Sequence, residues 1–548
     1  MSSNTKFVED LVRTETRRVA LSWQPPERRA GLLEICRAID TIVLSARHQK
    51  DDVVEFCRQG ADKAISLFMD EACRERRAPI FPSDDRTIQW AFSVLQRCGR
   101  IASCEKLLDY ERAGLGRFFY NNRELQFEYT PKYVGLEAIE NDESEWILDE
   151  VADRQEPALN LMESAQPGIH ERMKKLVYCW ADHFIGYNTA PEIDEFFDQR
   201  GLLASERMFG HDVFADDAVF GGRPFSFYRK GVRTLVGWAI KHLHFAAVLQ
   251  SLRPDLRIQN LVTVTADIDR VTSELACALR ATEKDASQVL SLLEVNLDNV
   301  TQLLINGHAP PPLLRVSSEQ FLKVVSGFLI EPLQLMLRNL RTQYQNDWDR
   351  AVNDRESRFR DELLQLFPQD WLVKLPTGIS FKKAAQRLTD VDAVVFDKKT
   401  GVVGLFQLKW QDAFGHSMRE RGAKMKNFSR EAQKWIDTVV TFVANATQAE
   451  MCQMLGLSTQ SRRPLQYRLF VIGRYFAHFS GDTTPDNRAA WIVWPQLIRL
   501  AKKVAASDNP IEELYSAAIA DSPINRRVSV PASTFRLGDI TITMRAVG

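Results

Sequence analysis

Three polar side chains stand inside two otherwise apolar runs: Asp392, Gln407 and Lys409, in the stretch 389–411, TDVDAVVFDKKTGVVGLFQLKWQ. An acid, an amide and an amine brought together can bind a hard divalent cation and hold a water beside a phosphate. On a buried sheet face they are costly unless paired or ligated. The plainer alternative is a structural salt bridge of Asp390 or Asp392 with Lys409. The local fold brings them together. Residues 391–397 and 402–410 are rich in β-branched and aromatic side chains. Lys398-Lys399-Thr400-Gly401 between them is turn chemistry, with Gly401 suited to a positive φ. A two- or four-residue loop centred between Lys399 and Thr400 makes paired positions sum to 799. Asp392 then faces Gln407, and Asp390 faces Lys409. Side chains alternate faces along a strand, so Asp392, Gln407 and Lys409 share one face.

An acid, a hairpin and then Gln-x-Lys resembles the PD-(D/E)xK nuclease superfamily, in the Gln-x-Lys form of Mrr-type restriction enzymes. The resemblance covers roughly residues 355–494. No proline precedes the acid, and Gln407 stands where an acid is usual. The resemblance implies a restriction-endonuclease-like α/β domain. It also implies Mg²⁺, or Mn²⁺, as cofactor and hydrolysis of DNA to leave 5′-phosphates. Asp392 and Gln407 would be metal ligands and Lys409 the group beside the attacking water. In that superfamily a helix ahead of the strands often carries a glutamate aimed at the metal. Residues 355–367, RESRFRDELLQLF, read as an amphipathic helix, in which Glu356 matches best and Glu362 is the other candidate. Residues 416–434 carry six Lys and Arg against two Glu. There Arg419, Arg421, Lys424, Lys426, Arg430 and Lys434 would hold backbone phosphates without reading sequence. Family habit places such an enzyme in restriction or antiphage defence. A DNA repair nuclease, or a degenerate nuclease fold that only binds nucleic acid or protein, are the alternatives.

The secondary structure around these groups is legible in chain order. After the helix come a strand at 371–375, the site hairpin, and a helix with Trp435, Ile436, Val439 and Val440 inward. Next are strands at 467–472 and 491–494 and a helix from Pro495. This α–β–β–β–α–β–β order predicts a mixed sheet with helices on its faces. Residues 1–345 read as mostly helical, with a small β-insertion near 115–130 and helical spacing over 169–197 and 262–306. Residues 136–156 are acidic and read as a solvated helix face. His242 and His244, two apart, are poor joint ligands on a helix. Ser317 to Gln320 has the form of a capping box, and Pro332 predicts a kink in the helix after it. The expected division is a helical sensor, partner or assembly module at 1–345, the nuclease-like domain at 346–505, and a 506–548 extension carrying a hairpin. The whole is an α+β, multidomain chain.

Composition bounds the partners. From residue 346 on there are 29 Lys and Arg against 22 Asp and Glu, leaving 42 against 50 in the rest of the 548 residues. A basic C-terminal part fits DNA as partner. The N-terminal part suits a protein partner or a homo-oligomer. No run of eighteen apolar residues exists, so no membrane span is expected. Eight scattered cysteines and no evident secretory signal predict a cytoplasmic protein. No nucleotide-binding P-loop is present.

Overall fold

The computed structural model describes residues 3–545 except 23–24, 26–27, 46–51, 122–123, 131–135, 209–213, 305–309, 384–385, 412–417, 457–463, 479–484 and 524–531. The protein is α+β. Helices dominate up to residue 365, and a five-stranded mixed sheet organises most of the C-terminal part.

Two apolar cores build the N-terminal half. The first gathers helices Ser3–Ala20, Arg28–Ser45, Asp52–Gln59, Ala61–Phe68 and Asp85–Arg112. Against them packs a sheet whose first hairpin, Gly116–Asn121 with Glu124–Tyr129, is the predicted β-insertion. The second core surrounds helix Phe225–Leu252 and includes Leu275, Leu293, Met336 and Trp348. Asp40, fully buried, ties the two together by accepting hydrogen bonds from Thr263, Val325 and Ser326.

Three helical readings need correction here. Residues 177–187 fold as a hairpin, Val177–Trp180 with Phe184–Tyr187. Residues 262–306 contribute strands Val264–Asp267 and Glu294–Val295 to a four-stranded sheet completed by Leu313–Arg315 and Gln320–Lys323. The supposed capping box at 317–320 is therefore the turn between two strands of that sheet. The strands have only two to four residues, too few for an alternation to stand out from an apolar helix face. Pro332 starts helix Pro332–Gln343 instead of kinking it, at a position where its missing N–H costs nothing. His242 and His244 find separate partners: Tyr187 and the Val262 carbonyl for one, His170 for the other.

The predicted α–β–β–β–α–β–β order is present. Helix Gln345–Gln365 is followed by strands Leu372–Leu375, Ala393–Asp397 and Val402–Lys409, helix Met418–Asn445, and strands Gln466–Gly473 and Ala489–Val493. The first three strands are antiparallel and the last two run parallel to the third. Each sheet face is covered. Val394, Val403, Leu405 and Val471 meet Phe428, Trp435, Ile436 and Val439 of helix Met418–Asn445. Val395, Phe406, Leu408 and Ile472 meet Phe359, Leu363, Leu497 and Leu514 of three other helices. A small hairpin, Ile379–Lys383 with Gln386–Val391, is inserted before the central strand.

The C-terminal hairpin, Ser533–Leu537 with Ile540–Met544, returns to the N-terminal half. Its last strand pairs in parallel with Glu124–Tyr129, so the sheet there contains both the predicted insertion and the end of the chain.

Candidate active site

The central turn fixes everything downstream of it. Asp397 accepts from the backbone N–H groups of Lys399 and Thr400, and Gly401 takes the left-handed φ of +81°. The strands then pair Ala393 with Phe406 through Phe396 with Val403, so paired positions do sum to 799. Asp392 lies one residue beyond the ladder and stays in register: its N–H donates to the Phe406 carbonyl at 3.0 Å. Its carboxylate Oδ2 accepts from Gln407 Nε2 at 2.5 Å and from the Leu408 N–H at 2.7 Å. Gln407 is buried, and Lys409 is two residues further on the same face, the one covered by helix Met418–Asn445.

Asp390 is not part of this group. The chain leaves the sheet at Asp392, so Asp390 pairs with Ser380 in the small hairpin and bonds Ser380 Oγ at 2.6 Å and Arg387. The expectation that it faces Lys409 fails because the strand is two strands, broken at the acid. Lys409 instead meets Glu431, with Nζ 3.1 Å from Oε2. The lysine's backbone carbonyl accepts from the Arg474 N–H at 2.9 Å.

The helix Gln345–Gln365 reaches the acid from the other side. Arg360 Nε donates to the Asp392 carbonyl, and the Glu356 charge, one turn earlier, acts on the Asp392 carboxylate. Burial pushes the Asp392 carboxyl up to about 6; the Leu408 N–H opposes this, Glu356 adds to it, and Lys409 and Arg360 also oppose it. Glu362 is occupied elsewhere. It accepts from Arg474 Nη1 at 2.5 Å, and that guanidinium lies over the rings of Trp410, Trp494 and Phe359 at 4.4, 5.0 and 5.2 Å. Of the two glutamates, Glu356 is therefore the one placed toward the site.

The basic stretch forms the start of helix Met418–Asn445. Lys426, Arg430 and Lys434 are exposed and Lys424 is half-buried. The side chains of Arg419 and Arg421 lie outside the described residues. Sequence reasoning missed Arg360 and Glu431. Glu431 had a signal: Phe428, Glu431, Ala432, Trp435 and Val439 recur at helical spacing, and the stripe contains one acid.

No family model matches the chain, and no curated protein and no solved structure matches it either.

The donor set suits a hard cation. Asp392 Oδ1 and Gln407 Oε1 accept no hydrogen bond among the described residues, and the exposed Glu356 carboxylate acts on the Asp392 charge. Two carboxylates and an amide oxygen are the ligand types Mg²⁺ and Mn²⁺ take, with waters completing the shell. Among the described residues no group of three His, Cys, Asp or Glu converges as a metal site.

Proposed function

We propose that the protein is a Mg²⁺- or Mn²⁺-dependent nuclease of PD-(D/E)xK type that hydrolyses phosphodiester bonds of DNA. The observation that carries the reading is the Asp392–Gln407–Lys409 array in one register on one face of an otherwise apolar sheet. The α–β–β–β–α–β–β order around it supports a restriction-endonuclease-like domain.

Asp392, Gln407 and Glu356 would hold the cation, which when bound supplies charge neutralisation and a more acidic water. The protein's own groups do the rest. Arg360 fixes the Asp392 backbone, and the Leu408 N–H orients its carboxylate. The Lys409 ammonium faces the phosphate, donates to a non-bridging oxygen and holds the attacking water in place. Lys424, Lys426, Arg430 and Lys434 line one helix and hold neighbouring phosphates, with Arg419 and Arg421 a turn ahead. The setting we favour is restriction or antiphage defence in the cytoplasm, with the N-terminal half as sensor or assembly module. Eight free cysteines accord with a reducing compartment. Among the described residues no helix is long and apolar enough to cross a membrane.

One observation favours a second reading. Asp392 Oδ2 is already satisfied by Gln407 and Leu408, so one carboxylate oxygen and the Gln407 amide N–H are engaged without a cation. A nuclease fold used only for binding would look the same.

Purified protein with plasmid, linear and single-stranded substrates separates the two. Cleavage with Mg²⁺ or Mn²⁺ that stops with EDTA, and that Lys409→Ala lowers by about 10²-fold or more, is expected. No cleavage with either metal on any of these substrates, together with Asp392→Ala having no phenotype in cells, sinks the nuclease reading.

A further inference from the structure

Lys409 is held at three points. Its carbonyl is bonded by the Arg474 N–H, the ring of the next residue, Trp410, is covered by the Arg474 guanidinium, and its Nζ is met by Glu431. Only the third acts on the charge.

Glu431 comes from a helix that is pinned to the site. Trp435, one turn later, donates from Nε1 to the Asp390 carbonyl at 2.8 Å, two residues before Asp392. Phe428 and Ala432 on either side of Glu431 are buried against the sheet. The acid is thus delivered to Lys409 by a fixed helix face and not by a wandering surface side chain. Yet the pair has 29% and 55% of its side-chain surface exposed. Ion pairs this open contribute little to stability, so holding the fold together is a poor account of it. The stripe runs on: Lys424, seven residues before Glu431, lies on the same side of the helix.

Resting on the nuclease reading, we infer that Glu431 is a positioning residue. It holds the Lys409 ammonium turned across the face shared with Asp392 and Gln407, where an unpaired lysine would swing into solvent. Around Asp392 act the charges of Glu356 and Arg360 from helix Gln345–Gln365 and of Lys409, and Lys409 in turn is met by Glu431 from helix Met418–Asn445. Among the described residues Glu431 is the one in direct contact with the Lys409 ammonium.

Two measurements on the full-length protein test this. Acetic anhydride labelling at pH 8, read by peptide mass spectrometry with exposed Lys398 as internal reference, reports how tightly the Lys409 amine is engaged. Glu431→Gln should raise Lys409 labelling severalfold relative to Lys398, and equal labelling in both proteins overturns the inference. In plasmid cleavage with Mg²⁺, Glu431→Gln should lower kcat about 10- to 100-fold at unchanged KM, as misplacement of a reacting group does. Glu431→Asp should recover part of the loss. Full kcat in Glu431→Gln, or a loss accompanied by a lower Tm, also overturns it. A wild type that cleaves nothing, with the labelling difference present, removes the nuclease reading while Glu431 retains its hold on Lys409.

Discussion

At pH 8 the Asp392 carboxylate is charged in surroundings that favour its neutral form. Its folded value of about 6 lies above the ordinary 3.8, so the folded state is the better proton binder between them. Stability from this group is therefore full below about 3.8, is lost as pH rises through 6, and is absent at pH 8. The gap corresponds to about 3 kcal/mol at most. Asp392→Asn should accordingly raise Tm at pH 8, with the gain shrinking toward zero by about pH 4; thermal melts across this range check it. Gln407 can turn its amide to suit the new side chain. Millimolar Mg²⁺ or Mn²⁺ should raise Tm of the wild type at pH 8 and leave Asp392→Asn unmoved. A variant less stable than the wild type at pH 8 contradicts the burial argument. The register of this acid was legible to the extent that the turn has an even number of residues; a three-residue loop would have shifted it by one, and the four-residue turn ending at Gly401 keeps it. The placement of Asp390 was not, since nothing in the alternation of residues 389–397 marks the point at which one strand becomes two.

Helix Met418–Asn445 does two jobs with two faces. Phe428, Ala432, Trp435, Ile436 and Val439 pack on the sheet, and Lys426, Arg430 and Lys434 point away from it. If the open face tracks DNA phosphates, changing Lys424, Lys426 and Arg430 together to Ala should weaken binding to every sequence alike. The salt dependence should flatten by nearly one log unit per log unit of salt for each phosphate no longer held. Affinity and slope that both stay put would assign these cations to solvent. Helix Met418–Asn445 and strands Val402–Lys409 and Gln466–Gly473 could be read from the sequence because each is long and has one period. The sheet formed by residues 264–323 could not, because its strands are as short as a helical turn and equally apolar.

The acidic helix Leu136–Lys174 touches the C-terminal part, where Lys502 bonds Glu150 and lies over Trp146 at 5.1 Å. A stronger tie is the returning hairpin. Phe535, Leu537 and Ile542 are buried in the first N-terminal core. A chain ending at Pro523 loses all three, a gross loss of several kcal/mol at about 1.5–3 kcal/mol per side chain. That approaches the whole stability of an ordinary domain. Such a chain should melt at lower temperature, and its backbone amides at 124–129 should exchange with solvent at least tenfold faster. Unchanged exchange there would show that the last strand is dispensable. The two strands of this hairpin were legible in sequence, and their destination was not, because a parallel pairing across four hundred residues leaves no local trace.

That pairing also sets an order in time. Strand Glu124–Tyr129 leaves the ribosome first, and its partner Ile540–Met544 is made some four hundred residues later. At ordinary elongation rates the interval is on the order of tens of seconds. Through all of it one edge of a finished hairpin waits with its N–H and C=O groups unclaimed, open to another nascent chain or a chaperone. The N-terminal sheet is completed only once the C-terminal hairpin has been translated.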